Sequence, residues 1–168
     1  MSTKHPVKLT YTREESMIAQ SKRHPLYIKA RTGATKDGIL KAWEVEVVGD
    51  TGAYASSGPA VVHKGMYHCT GPYNVPNVKG IAYTVYTNNT YGGAMRGFGT
   101  TQMAFAYESQ MNILAEKLGM DPAEIRLKNA YRIGSITPNG QKLTQSVNVV
   151  ETIEKALKLS KEKEGVRH

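Results

Sequence analysis

The run Gly92-Gly93-Ala94-Met95-Arg96-Gly97-Phe98-Gly99 constrains this chain more than any other feature. Four glycines and one arginine stand between a predicted strand, Ile81–Asn88, and a predicted long helix, Thr101–Leu118. Glycine admits positive φ angles and lets another group come close to the backbone. The N-terminus of the helix just beyond offers unpaired N–H groups and a partial positive charge. Arg96 adds a planar, permanently charged fork suited to a phosphate or a polar heterocycle. Together these residues predict a site for an anionic cofactor. It is not a Walker loop, because no Lys-Ser or Lys-Thr pair follows, and it lacks the Gly-x-Gly-x-x-Gly dinucleotide spacing.

Strands are predicted before this loop and helices after it. Apolar Leu26, Ile28 and Ala30 alternate with Tyr27, Lys29 and Arg31, and Trp43, Val45 and Val47 alternate with Ala42, Glu44 and Glu46. Such alternation marks strands with one buried face. Lys36-Asp37-Gly38 between them supplies a tight turn, so the two are antiparallel neighbours. Val7–Tyr11 also alternates and reads as a short strand. If it continues past Thr12, Glu14 and Glu15 point to opposite sides of it and form a solvated ion-pair edge beside Arg13. Gly49–Pro76 is rich in Gly, Ser, Pro and Tyr and reads as loop with one helical turn near Val61–Tyr67.

Beyond the loop, Met103, Tyr107, Met111, Leu114 and Leu118 form one helical stripe, with Gly119 at the position just past its C-terminus. Asp121-Pro122-Ala123-Glu124 starts a second helix, and Asn148 with Glu151 starts a third. The expected class is therefore α+β, with antiparallel sheet strands in the N-terminal half and C-terminal helices packed on them. At 168 residues, 40% apolar and 21% charged, the chain is expected to be a single domain, residues 1–168.

The net charge of +8 raises nucleic acid as a partner. However, the basic residues are scattered, and the last cluster (Lys155, Lys158, Lys161, Lys163) is interleaved with Glu151, Glu154, Glu162 and Glu164, as on a solvated helix face. Neither nucleic acid nor membrane is expected as a partner. No run approaches the roughly 18 apolar residues of a membrane span, and the Met1–Lys8 segment carries no apolar signal region. Cys69 is the single cysteine, which points to a reducing, cytoplasmic setting and excludes an iron–sulfur cluster here on ligand count. His5, His24, His63, His68 and His168 show no metal-ligand spacing, and His63, His68 and Cys69 lack a complementary second pair, so no metal ligand is assigned.

Ala94-Met95-Arg96-Gly97-Phe98-Gly99, then Gln102, then Pro122-Ala123-Glu124-Ile125-Arg126-Leu127-Lys128-Asn129, resembles the molybdopterin-binding subunit of the xanthine dehydrogenase / aldehyde oxidase family. Pro6-Val7-Lys8-Leu9 with Arg13-Glu14-Glu15, Arg23-His24-Pro25, and Gly140-Gln141-Lys142-Leu143 fit the same pattern in order, from about residue 5 to residue 160. The resemblance implies a molybdenum hydroxylase, which oxidises a C–H bond of an aldehyde or nitrogen heterocycle with water as oxygen source. It implies that Arg96 contacts the molybdopterin cofactor, with Ala94 and Met95 lying along it through their backbone. Phe98 would position an aromatic substrate, where a ring face contributes on the order of 1 kcal/mol beyond its burial. Counting back from the loop without gaps, Lys64 falls where purine-oxidising members carry a substrate-facing arginine. A cation there suits an oxo group or a carboxylate, although Lys lacks the bidentate fork.

The family's catalytic glutamate sits in a Gly-x-Gly-Glu setting that this sequence does not contain, so no catalytic residue is assigned. The resemblance thus implies an interior segment of a longer subunit, inactive alone. Its partners would be the remainder of that subunit, iron–sulfur and FAD domains or subunits, and a small-molecule heterocycle or aldehyde. Strands parted from their neighbours would leave edges open to self-association. The competing reading is a structural or interaction domain of the same fold that binds no cofactor.

Overall fold

The structure, a computed structural model, describes residues 4–164 and the side chains through Lys161. Met1–Thr3, His168 and the side chains of Glu162, Lys163 and Glu164 lie outside the described residues. In chain order the elements are α1 (Arg13–Ala19), β1 (Lys22–Arg23), β2 (Leu26–Ala34), β3 (Leu40–Asp50) and α2 (Gly58–Tyr67). They continue with β4 (Asn77–Val85), β5 (Gly92–Gly93), α3 (Thr100–Leu118), α4 (Pro122–Asn129) and α5 (Val149–Glu164).

The expected hairpin forms: β2 and β3 pair antiparallel with Ala30 opposite Val45 and Ile28 opposite Val47. Gly38 takes the positive φ (83°) that the Asp-Gly turn requires. The inward residues Trp43, Val45 and Val47 are buried against Met103, Met111 and Ala115 of α3, Val62 of α2 and Ile125 of α4. Each such side chain contributes roughly 1.5–3 kcal/mol on burial. Of the predicted α3 stripe, Met103 and Met111 are fully buried, and Tyr107, Leu114 and Leu118 pack at its margin. Gly119 ends α3 in the left-handed region, and the Asp121 carboxylate caps α4 by accepting from the amides of Ala123 (2.8 Å) and Glu124 (3.0 Å).

The class is α+β, with mixed strand directions. β4 runs parallel to β3, Glu44 opposite Lys79 and Val47 opposite Ala82. The reason is α2. Gly49–Pro76 contains this full ten-residue helix rather than a single turn in a loop. A parallel neighbour needs a crossover of a dozen or more residues, which α2 and its flanks supply. β4 spans Asn77–Val85, four residues earlier than the predicted start at Ile81.

The N-terminal expectation is corrected more sharply. Val7–Tyr11 joins no ladder, and its apolar side chains Val7, Leu9 and Tyr11 are exposed. Glu14 and Glu15 belong to a helix, not to a strand edge. Thr12 and Glu15 form a capping box: the Glu15 amide donates to the Thr12 hydroxyl (3.2 Å) and the Thr12 amide to the Glu15 carboxylate (2.8 Å). These two reciprocal bonds satisfy free donors at the helix start, which alternation alone does not reveal.

The outward face of the sheet carries a charge row in which Glu44 pairs with Arg31 (3.5 Å) and Lys79 (3.1 Å). All three side chains are exposed, so water and salt screen these pairs. The end of β3 is tied more specifically. The Asp50 carboxylate accepts from the Thr87 hydroxyl (2.7 Å), the Gly52 amide (2.7 Å) and the Asn89 side-chain amide (2.6 Å). These donors, Thr87 first, hold its pKa below the ordinary 3.8. The folded chain therefore binds fewer protons than the unfolded chain, and stability present above the ordinary value is lost as pH falls through the lowered one. Asp50→Asn is expected to flatten that acid limb in urea titrations run from pH 5 to pH 2; an unchanged slope would show that these bonds do not couple to folding.

Among the described residues, no helix is long and apolar enough to cross a membrane.

Candidate functional site

The glycine loop is held between two earlier parts of the chain. On one side β5 pairs in parallel with β1, Lys22 opposite Gly92 and Arg23 opposite Gly93. On the other side Gly99 lies against α2: a Cβ there would overlap the Val61 carbonyl oxygen and reach within 3.1 Å of the Gly65 amide nitrogen. Gly97 (φ 96°) and Gly99 (φ 95°) occupy the positive-φ region that side chains resist. Phe98 sits between them at φ 47°, and such a conformation in a non-glycine residue is retained where the surroundings over-determine it. The turn closes through the Phe98 amide to the Met95 carbonyl (2.8 Å) and the Thr100 amide to the Gly97 carbonyl (3.0 Å).

What the loop leaves open is as informative. Ala94, Met95 and Arg96 are exposed. The Arg96 carbonyl accepts from Arg23 (2.8 Å), but the Arg96 guanidinium has no hydrogen-bond or ion-pair partner among the described residues. Nor do the amides of Thr101 and Gln102 in the first turn of α3 meet a backbone carbonyl. A charged fork and helix-terminal amides without a carbonyl partner thus belong to the same short stretch of chain, and both are features that can receive an anion.

Phe98 is half-buried and packs beneath the loop with Arg23, His24, Val61, Met95 and Gln102, in a seam too tight to admit a water molecule. Lys64 is exposed in the last turn of α2, one residue before the Gly65 that abuts Gly99. The structure therefore joins Lys64 to the loop through helix packing and not through a side-chain contact. His68 follows in the same region, its pKa lowered by burial first and by the Lys64 charge second.

Two further residues belong here. The Arg23 guanidinium also donates to the Thr101 hydroxyl (2.6 Å), and the Gln102 side chain donates to the His24 carbonyl (3.0 Å). His24 is buried, and neither ring nitrogen makes a hydrogen bond of good geometry. Burial holds its pKa below the usual 6.5, which favours the neutral ring. The sequence signal for both was the Arg23-His24-Pro25 block, which named them without assigning a task.

Elsewhere, His63 is engaged with the Tyr67 hydroxyl (2.8 Å). The buried Cys69 thiol is pushed up to about 11 by desolvation, so it stays protonated. Among the described residues, no three His, Cys, Asp or Glu side chains come together as a metal set.

Residues 1–130 match the molybdopterin cofactor-binding domain family, most of the chain and the whole of this site. The chain belongs to that family. Within it, the chain is 55% identical over 154 residues to the large molybdopterin subunit of nicotinate dehydrogenase from Eubacterium barkeri, covering 92% of this chain and 36% of that one. The solved aldehyde oxidoreductase of Desulfovibrio gigas superposes with a TM-score of 0.80 at 39% identity, over 86% of this chain and 16% of the larger one. Quinoline 2-oxidoreductase from Pseudomonas putida 86 gives 0.81 at 25% identity, over 94% and 21%. This molybdopterin cofactor-binding domain thus spans about a third or less of the length of these relatives. Large apolar side chains stand in solvent, among them Leu9, Ile18, Tyr27 and Phe105.

The residues present fit molybdopterin, which joins a phosphate to a flat polar heterocycle. The unpartnered guanidinium and free amides match the anion. Apart from Met95, Arg96 and Phe98 the loop carries only glycines and Ala94, so a flat group can approach its backbone.

Proposed function

We propose that this domain supplies one wall of the molybdopterin and substrate site of a xanthine dehydrogenase-like molybdenum hydroxylase. The reaction converts a substrate C–H to C–OH, taking the oxygen from water and releasing two electrons and two protons. The molybdenum cofactor, when bound, supplies the redox centre for that exchange. Arg96 holds the cofactor by its free guanidinium, with Ala94 and Met95 presenting backbone along the same edge. Phe98 offers a ring to an aromatic substrate from its constrained turn position. Lys64 directs a cation toward the substrate side.

A nitrogen heterocycle bearing a carboxylate suits that Lys64 cation best, and two relatives named for nicotinate accord with it. The remainder of the subunit brings the acid–base group that this chain lacks, and electrons leave through iron–sulfur and FAD domains or subunits. The buried, protonated Cys69 accords with a cytoplasmic setting. The free edges of β2 and β4 are where self-association would begin if that remainder were withheld.

The observation that carries the reading is the Arg96 guanidinium, exposed and without a partner among the described residues. The chain is to be co-expressed with the rest of the subunit and the purified assembly assayed for molybdenum and for pterin by fluorescence after oxidation. Arg96→Ala removes a charge-assisted bond of about 1.5–3 kcal/mol, so pterin content at limiting cofactor should fall at least tenfold. Full loading in Arg96→Ala would defeat the reading.

A further inference from the structure

We infer that Arg23 is a positioning residue for Arg96: it fixes the direction of the cofactor-binding side chain by holding its backbone. The inference rests on the cofactor reading of Arg96 above. One Arg23 nitrogen donates to both the Arg96 carbonyl (2.8 Å) and the Thr101 hydroxyl (2.6 Å), tying the exposed turn to the first turn of α3. The donor comes from more than seventy residues upstream and is itself anchored, since β1 pairs across to β5 at Gly93. The next residue continues the brace. The His24 carbonyl receives the Gln102 side chain (3.0 Å), and its buried ring lies under Gly92 and against Gly58.

The loop needs such a brace. Arg96 is followed by Gly97, the residue type with the least resistance to a peptide rotation. The other bonds that close the turn are local, from Phe98 to Met95 and from Thr100 to Gly97. They fix the shape of the turn but not its placement against the sheet. Arg23 supplies the long-range tie at the residue whose side chain must face the ligand. A planar fork fixed in this way loses less freedom when a ligand arrives, which is how preorganisation raises affinity.

Amide hydrogen exchange on the 168-residue chain reads the brace without any cofactor. In Arg23→Ala the Phe98 and Thr100 amides should exchange about tenfold faster, with the β2–β3 ladder amides unchanged. Arg23→Lys, which keeps a charged donor of nearly equal reach, should recover part of the protection. It also serves as the readable variant if the alanine form loses the ladder as well. In the co-expressed assembly, Arg23→Ala should lower pterin content at least fivefold. Unchanged exchange at Phe98 and Thr100 in both variants would overturn the inference. So would full pterin in Arg23→Ala where Arg96→Ala has lost it, because the brace would then be irrelevant to binding. Full pterin in both alanine variants would instead remove the cofactor reading on which the inference stands.

Discussion

Gly99→Ala is expected to destabilise the chain by about 3–5 kcal/mol and to strip the loop from α2, because two independent costs meet at one atom. The first is conformational: φ is 95°, where a Cβ is strained in any surroundings. The second is steric. The new Cβ would drive into the Val61 carbonyl and the Gly65 amide, backbone atoms of a helix that cannot rotate aside. Gly119 separates the two terms. It has φ 64° at the end of α3, but a methyl group added there would meet nothing within 4 Å, so Gly119→Ala should cost only about 1–2 kcal/mol. Gly97→Ala falls between them, since its Cβ meets a Thr101 methyl at 2.6 Å that can turn away. Urea unfolding of the three variants should rank Gly99 above Gly97 above Gly119. An equal cost at Gly99 and Gly119 would mean that the loop does not rest on α2. The same contact bears on the proposed site, because α2 carries Lys64 and a retreat of the helix would move that residue away from the loop.

This contact also shows where sequence reasoning reached and where it stopped. Alternation across Leu26–Ala30 and Trp43–Val47 located the hairpin because the Asp-Gly turn between them makes each segment the neighbour that the other's half-buried face needs. The α3 stripe and the Asp121 cap were legible for the same reason: spacing and cap chemistry are local. Arg96 was legible as a candidate because a guanidinium among glycines at a helix start is a local arrangement too. The helix α2 was hidden by its composition. Gly58, Pro59 and Gly65 read as loop residues, yet Pro59 sits in the first turn, where its missing N–H costs nothing, and Gly65 is small because Gly99 and Met103 press on it. Without α2 the parallel placement of β4 could not be foreseen. Val7–Tyr11 failed in the opposite sense: it has the alternation of a strand, but a ladder needs a neighbour, and no periodicity within one segment reveals whether a neighbour is there. Arg23 required a contact across more than seventy residues, which no local pattern encodes.

Asn129 is the second place where a large effect is expected, and it acts at the far end of the core from the loop. Its side chain is buried with every polar atom engaged. Oδ1 accepts from the Leu40 amide (2.8 Å), and Nδ2 donates to the Gly38 carbonyl (2.8 Å) and the Ile125 carbonyl (2.7 Å). It thereby fastens the end of α4 to the β2–β3 turn. Asn129→Ala strands the Leu40 donor and the Gly38 acceptor away from water, and each such group costs about 1–3 kcal/mol, so a loss of about 3–4 kcal/mol is expected. Asn129→Asp tests the direction of the bonds. Its carboxylate would face two carbonyl oxygens in place of the amide donor, and burial beside them favours the protonated acid. The folded variant would then bind more protons than its unfolded form, so its stability should rise as pH falls from 7 to 5. That sign is opposite to the Asp50 contribution, in which acid removes stability at lower pH. Urea midpoints measured across this range for the parent and Asn129→Asp should converge on acidification. Parallel curves would show that Nδ2 does not face the two carbonyls and that α4 is fastened to the hairpin by packing alone.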